Sequence, residues 1–227
     1  MKGVAAVVGL MLWTASAQAQ IGYPPAESPF RDLFYRQDAT LFTGYYSAGS
    51  DPVGVGPQSG PLIGARYEVR IGGPAQFTVR AGRVFSERTT INPALAEGQR
   101  VVGTSSMPLY LLDLGISFNL TGQKSYRGFV PVVTLGGGIA SDFTSKRDIG
   151  DFRFGTPFAI SFGGGVRYVR DGPFQMRLDL TDYLYQIRYP SSYFRATGGA
   201  APVKRGSQSA WTNNVALTVG ASYQFFR

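Results

Sequence analysis

Eight charged residues fall on the polar parity of alternating segments: Arg66, Glu68, Arg70, Arg80, Asp113, Arg167, Arg177 and Asp179. Five cations set against three carboxylates define the chemistry this chain could do. Buried together, they would interlock as ion pairs, because a buried charge needs a partner and arginine engages carboxylates in bidentate fashion. Lining an open space, they would favour the passage of anions. Proton transfer by Asp113 or Asp179 is the third use. Neighbouring guanidinium groups hold such carboxylates ionised, which suits a salt bridge better than an acid. The sequence has no histidine and no cysteine. Serine–histidine catalysis, which needs an imidazole to take the serine proton, is therefore excluded, and so are the common transition-metal sites. No catalytic residue, metal or cofactor is expected.

The elements that carry these residues read as strands. Apolar residues at Phe158, Ile160, Phe162, Val166 and Tyr168 alternate with Ala159, Ser161, Gly163, Gly165 and Arg167, and the pattern resumes after Asp171-Gly172 at Phe174, Met176, Leu178 and Leu180. A period of two marks strands whose faces meet different surroundings. Eight such segments are predicted: 39–48, 61–71, 76–86, 108–120, 128–141, 154–170, 173–188 and 210–226. They exceed the usual strand length and approach the roughly 9–11 tilted residues that cross a bilayer.

The connections alternate in length. Gly72-Gly73-Pro74, the stretch from Thr121 to Arg127, and Asp171-Gly172 are short; 49–60, 87–107, 142–153 and 189–209 are long. Short turns at one end and long loops at the other are the pattern of transmembrane barrels. The expected fold is all-β, an eight-stranded antiparallel up-and-down transmembrane β-barrel. Its outward face would be dense in Leu, Ile, Val and Phe. Aromatic girdles would come from Tyr67, Phe77, Phe85, Tyr110, Phe118, Phe129, Tyr168, Phe174, Tyr223 and Phe225. Alternation alone also permits a soluble lipocalin-type barrel with the faces reversed.

Lys2, an apolar run from Gly3 to Trp13, and Ala17-Gln18-Ala19 form a secretory signal, predicting residues 1–19 as signal peptide. Residues 20–38 are then a periplasmic segment, and 39–227 the outer-membrane barrel of a Gram-negative cell envelope. Within 20–38, Ser28 and Pro29 predict a short helix presenting Phe30, Leu33 and Phe34, either on the membrane surface or across the barrel mouth. Without cysteine, the exported chain is not held by disulfides. Of 227 residues, 22 are Lys or Arg and 14 Asp or Glu, a net charge of +8. The excess favours anionic lipid head groups. Nucleic acid is not an expected partner, since no basic helix or binding module is present.

The final strand, Val215-Ala216-Leu217-Thr218-Val219-Gly220-Ala221-Ser222-Tyr223-Gln224-Phe225, alternates apolar residues and closes on an aromatic. With the eight-strand pattern from Ala39 to Phe226, it resembles the OmpA-like family of small outer-membrane β-barrels, here a barrel domain only. The resemblance implies that Tyr223, Phe225 and Phe226 serve as the signal read by the barrel-assembly machinery. The family usually ends on its aromatic, whereas Phe226 and Arg227 follow Phe225 here. Fold resemblance does not assign function.

Four local expectations complete the reading. Arg83 falls on the apolar face of its strand, where it reaches lipopolysaccharide phosphates unless a β-bulge reverses the parity. The triplets Gly136–Gly138 and Gly163–Gly165 face each other if their hairpin is symmetric, giving tight interior packing or a groove on the lipid side. Tyr189, Tyr193, Phe194 and Arg195 in the last loop are candidates for surface binding. The predicted role is that of a monomeric, non-enzymatic outer-membrane protein with a structural or surface-interaction function, its partners being outer-membrane lipid and lipopolysaccharide. A narrow, porin-like solute channel is the alternative.

Overall fold

The structure is a computed structural model and describes residues 28–195, 201–203 and 209–225. The signal-peptide expectation and Phe226 lie outside the described residues. Among the described residues are twelve strands: β1 (Phe30–Asp32), β2 (Gln37–Ser47), β3 (Gly60–Gly72), β4 (Ala75–Val84), β5 (Glu87–Ile91), β6 (Val101–Ser106), β7 (Leu109–Asn119), β8 (Lys124–Tyr126), β9 (Phe129–Ser141), β10 (Phe158–Val169), β11 (Phe174–Arg188) and β12 (Ser209–Phe225). Eight of them close a barrel in the order β2-β3-β4-β7-β9-β10-β11-β12, every pair antiparallel, with β12 returning to β2. The predicted eight-strand up-and-down barrel is what the chain forms.

Register fixes the barrel's dimensions. The paired residues run from Tyr168 through Met176, Ala221, Leu41, Ala65, Ala81, Leu112 and Ile139, and the path returns to β10 at Phe158, ten residues from its start. Eight strands with that shift require a tilt of roughly 40° and a backbone radius of about 8 Å. Such a bore is filled by side chains.

The two faces have opposite chemistry. Outward positions hold Leu41, Ile63, Leu114, Leu135, Phe158, Phe174, Leu180 and Leu217, all exposed. Inward positions hold Arg66, Glu68, Arg80, Asp113, Arg167, Arg177 and Asp179, all buried. A barrel in water would bury the first set and expose the second, so the structure excludes the lipocalin-type alternative. Aromatic pairs gird the turn end: Phe129–Tyr168 at 5.0 Å, Phe174–Tyr223 at 5.3 Å and Tyr67–Phe225 at 6.0 Å between ring centres.

Several expectations are corrected. The segment around Phe30 is strand rather than helix: β1 pairs antiparallel with β8, a short strand in the turn between β7 and β9. An available strand edge outweighs the capping signal of Ser28 and Pro29. The long second loop is ordered as a β5–β6 hairpin with a 3-10 turn at Glu97–Gln99. The glycine triplets do not face each other, because Gly136 pairs with Ser161 and Gly163 with Thr134. The third loop is therefore centred nearer β9 than sequence symmetry suggests. Arg83 stays in register with Ile63 and Tyr110, so no bulge reverses its parity.

Candidate functional site in the barrel lumen

The lumen has two storeys. Toward the turn end lies a network of four arginines and four carboxylates. Arg80 and Asp113 form a bidentate pair, with Nε to Oδ2 at 3.0 Å and Nη2 to Oδ1 at 3.0 Å. Arg66 reaches Asp179 at 3.1 Å, and Arg177 reaches the same carboxylate at 2.7 Å. Glu68 is the hub: it accepts from Arg177, meets Arg167 at 3.2 Å and accepts from Ser117 at 2.7 Å. Arg167 also faces Asp38 at 3.5 Å. In an environment with little water each unpaired charge would be costly, so mutual pairing is the condition for burial.

This set departs from the predicted one at two positions. Asp38 was missed. Its strand begins at Gln37, two residues before the predicted start, and the alternation Asp38, Thr40, Phe42 on the inward parity was the available signal. Arg70 makes no ion pair among the described residues; its Nη2 donates to the Leu33 carbonyl at 2.9 Å, and its guanidinium lies 5.5 Å from the centre of the Tyr35 ring. The network thus has four cations and four anions, without the positive excess that an anion path requires. One glycine is dictated here: a Cβ at Gly165 would stand 2.5 Å from the Leu178 carbonyl oxygen and collide with the Asp179 carboxylate.

The turn end is sealed by the chain's own leader. After β1, Leu33 and Tyr35 are buried against Val130. Tyr35 receives a hydrogen bond from Arg167, whose guanidinium sits 5.7 Å from the Tyr35 ring centre. Of the two sites predicted for this segment, the mouth is the one it occupies.

The storey toward the loop end is apolar and aromatic. Phe42, Leu62, Val84, Leu109, Leu111 and Tyr183 fill it. Buried hydroxyls of Tyr46 and Tyr185 bond each other at 2.7 Å. Above them the four loops close in a ring of contacts. The first and second meet where the Gln58 amide donates to the Glu87 carbonyl at 2.9 Å. Arg88 and Asp148 join the second to the third at 2.8 Å. Ser192 donates to the Gly150 carbonyl at 2.8 Å, joining third to fourth, and Tyr189 donates to Asp51, joining fourth to first. Val55, Ile91, Phe152 and Tyr193 pack beneath this ring.

Two of the four loop candidates are therefore not surface groups. Tyr189 and Tyr193 are buried in the cap, their phenols raised above the ordinary range first by burial and then by the nearby Asp51 and Asp148 carboxylates respectively. Phe194 packs against the same cluster, while Arg195 is exposed. The accessible feature is a cleft of about 790 Å³ between the third and fourth loops, bearing Arg147, Arg153 and Arg188 against one carboxylate, Asp151. Arg147 pairs with Asp151 at 2.8 Å. The sequence held no pattern that would gather these arginines, which come from the third loop and the tip of β11. Tyr223 and Phe225 stand at the turn end of β12, with rings 6.1 Å apart.

No family model matches this chain, and no curated protein sequence does. Among solved structures it is similar to the N-terminal β-barrel domain of Pseudomonas aeruginosa OprF, at 12% identity over 86% of this chain and 100% of that one, with a TM-score of 0.47. It is also similar to Neisserial surface protein A, at 13% identity, 83% and 97% coverage and a TM-score of 0.45. The outer membrane protein OprG from Pseudomonas aeruginosa aligns at 12% identity over 86% of this chain and 99% of that one, with a TM-score of 0.49.

Proposed function

We propose that this chain is an integral outer-membrane β-barrel with a structural and surface-interaction role and a closed lumen. The observation that carries the reading is the inverted polarity: charges packed inside, a continuous apolar belt outside. Hydrocarbon tolerates that exterior, and strands of this length and tilt cover a band of about 25 Å. The turn end then faces the periplasm and the loop end the cell exterior.

Three features favour a plug over the porin-like alternative. The ion-pair network is charge-balanced, the upper storey is lined mainly by apolar and aromatic side chains, and Tyr35 and the loop ring cover the two mouths. The role is non-enzymatic on this reading, supported by a sequence without histidine or cysteine. Surface interaction rests on the cleft with Arg147, Arg153 and Arg188, whose chemistry suits anionic groups. Lipopolysaccharide and the barrel-assembly machinery are the partners that such a barrel meets during its life.

The test compares migration of boiled and unboiled protein from detergent-extracted membranes, followed by conductance in planar bilayers. A heat-dependent shift without conductance is expected. Release into the soluble fraction without detergent would overturn the membrane assignment, and steady unitary currents would overturn the closed lumen.

A further inference from the structure

The outward belt carries two charges. Among the described residues, Arg83 on β4 and Asp182 on β11 are the charged side chains on the outward parity of the apolar band; Arg188, also outward, lies beyond it at the loop tip of β11. Arg83 makes no hydrogen bond or ion pair among the described residues. Its guanidinium lies over Phe85 at 4.9 Å and Tyr110 at 5.7 Å from the ring centres. Asp182 accepts two neutral donors, the Asn213 side chain at 3.1 Å and the Asn214 amide at 3.1 Å, and meets no cation among the described residues. An unpaired charge facing lipid is costly, more so the deeper it lies.

Their placement is related. In the barrel order, three strands lie between β4 and β11 in either direction, so the two residues are diametrically opposed. Their heights also agree. The registered path from Arg83 runs through Ile63, Thr43 and Val219 to Leu178. A shift of ten over eight strands lowers that path by about five residues in four strands. The position level with Arg83 on β11 is therefore about residue 183, and Asp182 is its outward neighbour within roughly one residue's rise.

We infer that copies of this chain associate side by side in the membrane, Arg83 of one meeting Asp182 of the next. The inference rests on the membrane reading above and departs from the expected monomer. Opposite charges at one depth on opposite sides, in barrels that share one orientation, give a head-to-tail contact. Because the patches are half a turn apart, the contact repeats along a line instead of closing a ring. A small-residue hollow at Ala65 and Ala81 lies below Arg83, and Leu180 projects below Asp182, so the apolar surroundings are complementary in the same direction. Pairing satisfies both charges where water is scarce, and like-charge juxtaposition disfavours the symmetric arrangement.

The absence of native cysteine makes the test direct. Ala81→Cys and Leu180→Cys are combined in one chain and oxidised in isolated membranes. Head-to-tail contact yields a ladder of dimer, trimer and higher species, whereas either single cysteine yields no ladder. Arg83→Asp or Asp182→Arg alone, in the double-cysteine background, should reduce the ladder by roughly tenfold, and the two reversals together should restore it. Heat-dependent migration is read on the same samples. Loss of that shift in the unmutated protein overturns the membrane reading and this inference with it. A retained shift with no ladder, or with a ladder indifferent to charge reversal, overturns the association alone. If Arg83→Asp then also loses co-purified lipid phosphorus, the occupant of Arg83 is a lipid phosphate.

Discussion

The turn-end and loop-end halves of this lumen fill the same narrow bore in opposite ways. Below, arginines and carboxylates interlock; above, aromatic and aliphatic side chains pack, with one pair of tyrosine hydroxyls satisfying each other. The difference follows from what seals each end. The lower storey is capped by one short segment, Leu33 to Tyr35, whose tyrosine is itself held by Arg167. The upper storey continues into four loops, whose own apolar residues need a core, and Val55, Ile91, Phe152 and Tyr193 find it by joining the lumen residues. A charge network is self-contained and highly specific; an apolar one extends to whatever packs on it.

The comparison breaks most sharply at Glu68. Removing this hub as Glu68→Ala leaves Arg167 and Arg177 short of a partner, at a cost of about 3–5 kcal/mol. The variant should unfold at distinctly lower temperature in heat-modifiability assays. Replacing Arg80 and Asp113 together by apolar residues of similar volume should cost much less than either single replacement, because the penalty lies in the orphaned charge; a double-mutant cycle on the same assay measures this.

In the upper storey the expected effects are graded by packing. Phe152→Ala should cost about 3–5 kcal/mol of local packing, read as faster proteolysis of the loops with the barrel's heat shift retained. Tyr185→Phe leaves the Tyr46 hydroxyl unpaired and should cost about 1–3 kcal/mol. The smallest effect is on pH. The Tyr189 and Tyr193 phenols are raised above the ordinary value of 10.0 by burial. Their neutral forms support the cap fully below that value, and the support is lost as pH rises through it toward the folded values. Loop proteolysis should therefore be flat near neutrality and accelerate only in strong alkali.

Much of the fold was legible because a barrel strand must alternate. The inward parity of Arg66, Glu68, Arg80, Asp113, Arg167, Arg177 and Asp179 is a consequence of period two, and the structure places each where alternation puts it. The failures have physical causes. Asp38 was lost because β2 is interrupted on both parities by Thr40, Phe42 and Thr43, which blurred its start. The leader was read as helix because local capping signals carry no information about a strand edge far along the chain at Ser125. Tyr189 and Tyr193 looked like surface anchors because sequence cannot tell a loop that waves from one that folds inward.

By itself, the sequence determined the strand count, the two-faced pattern and which residues share a face, since those depend on local periodicity and on turn residues. Tertiary structure decided which partners those faces meet. The ten-residue shift around the barrel sets which arginine reaches which carboxylate, brings Asp38 into balance with the rest, and levels Arg83 with Asp182 across the barrel. Closure couples strands distant in sequence, and no local pattern contains that register.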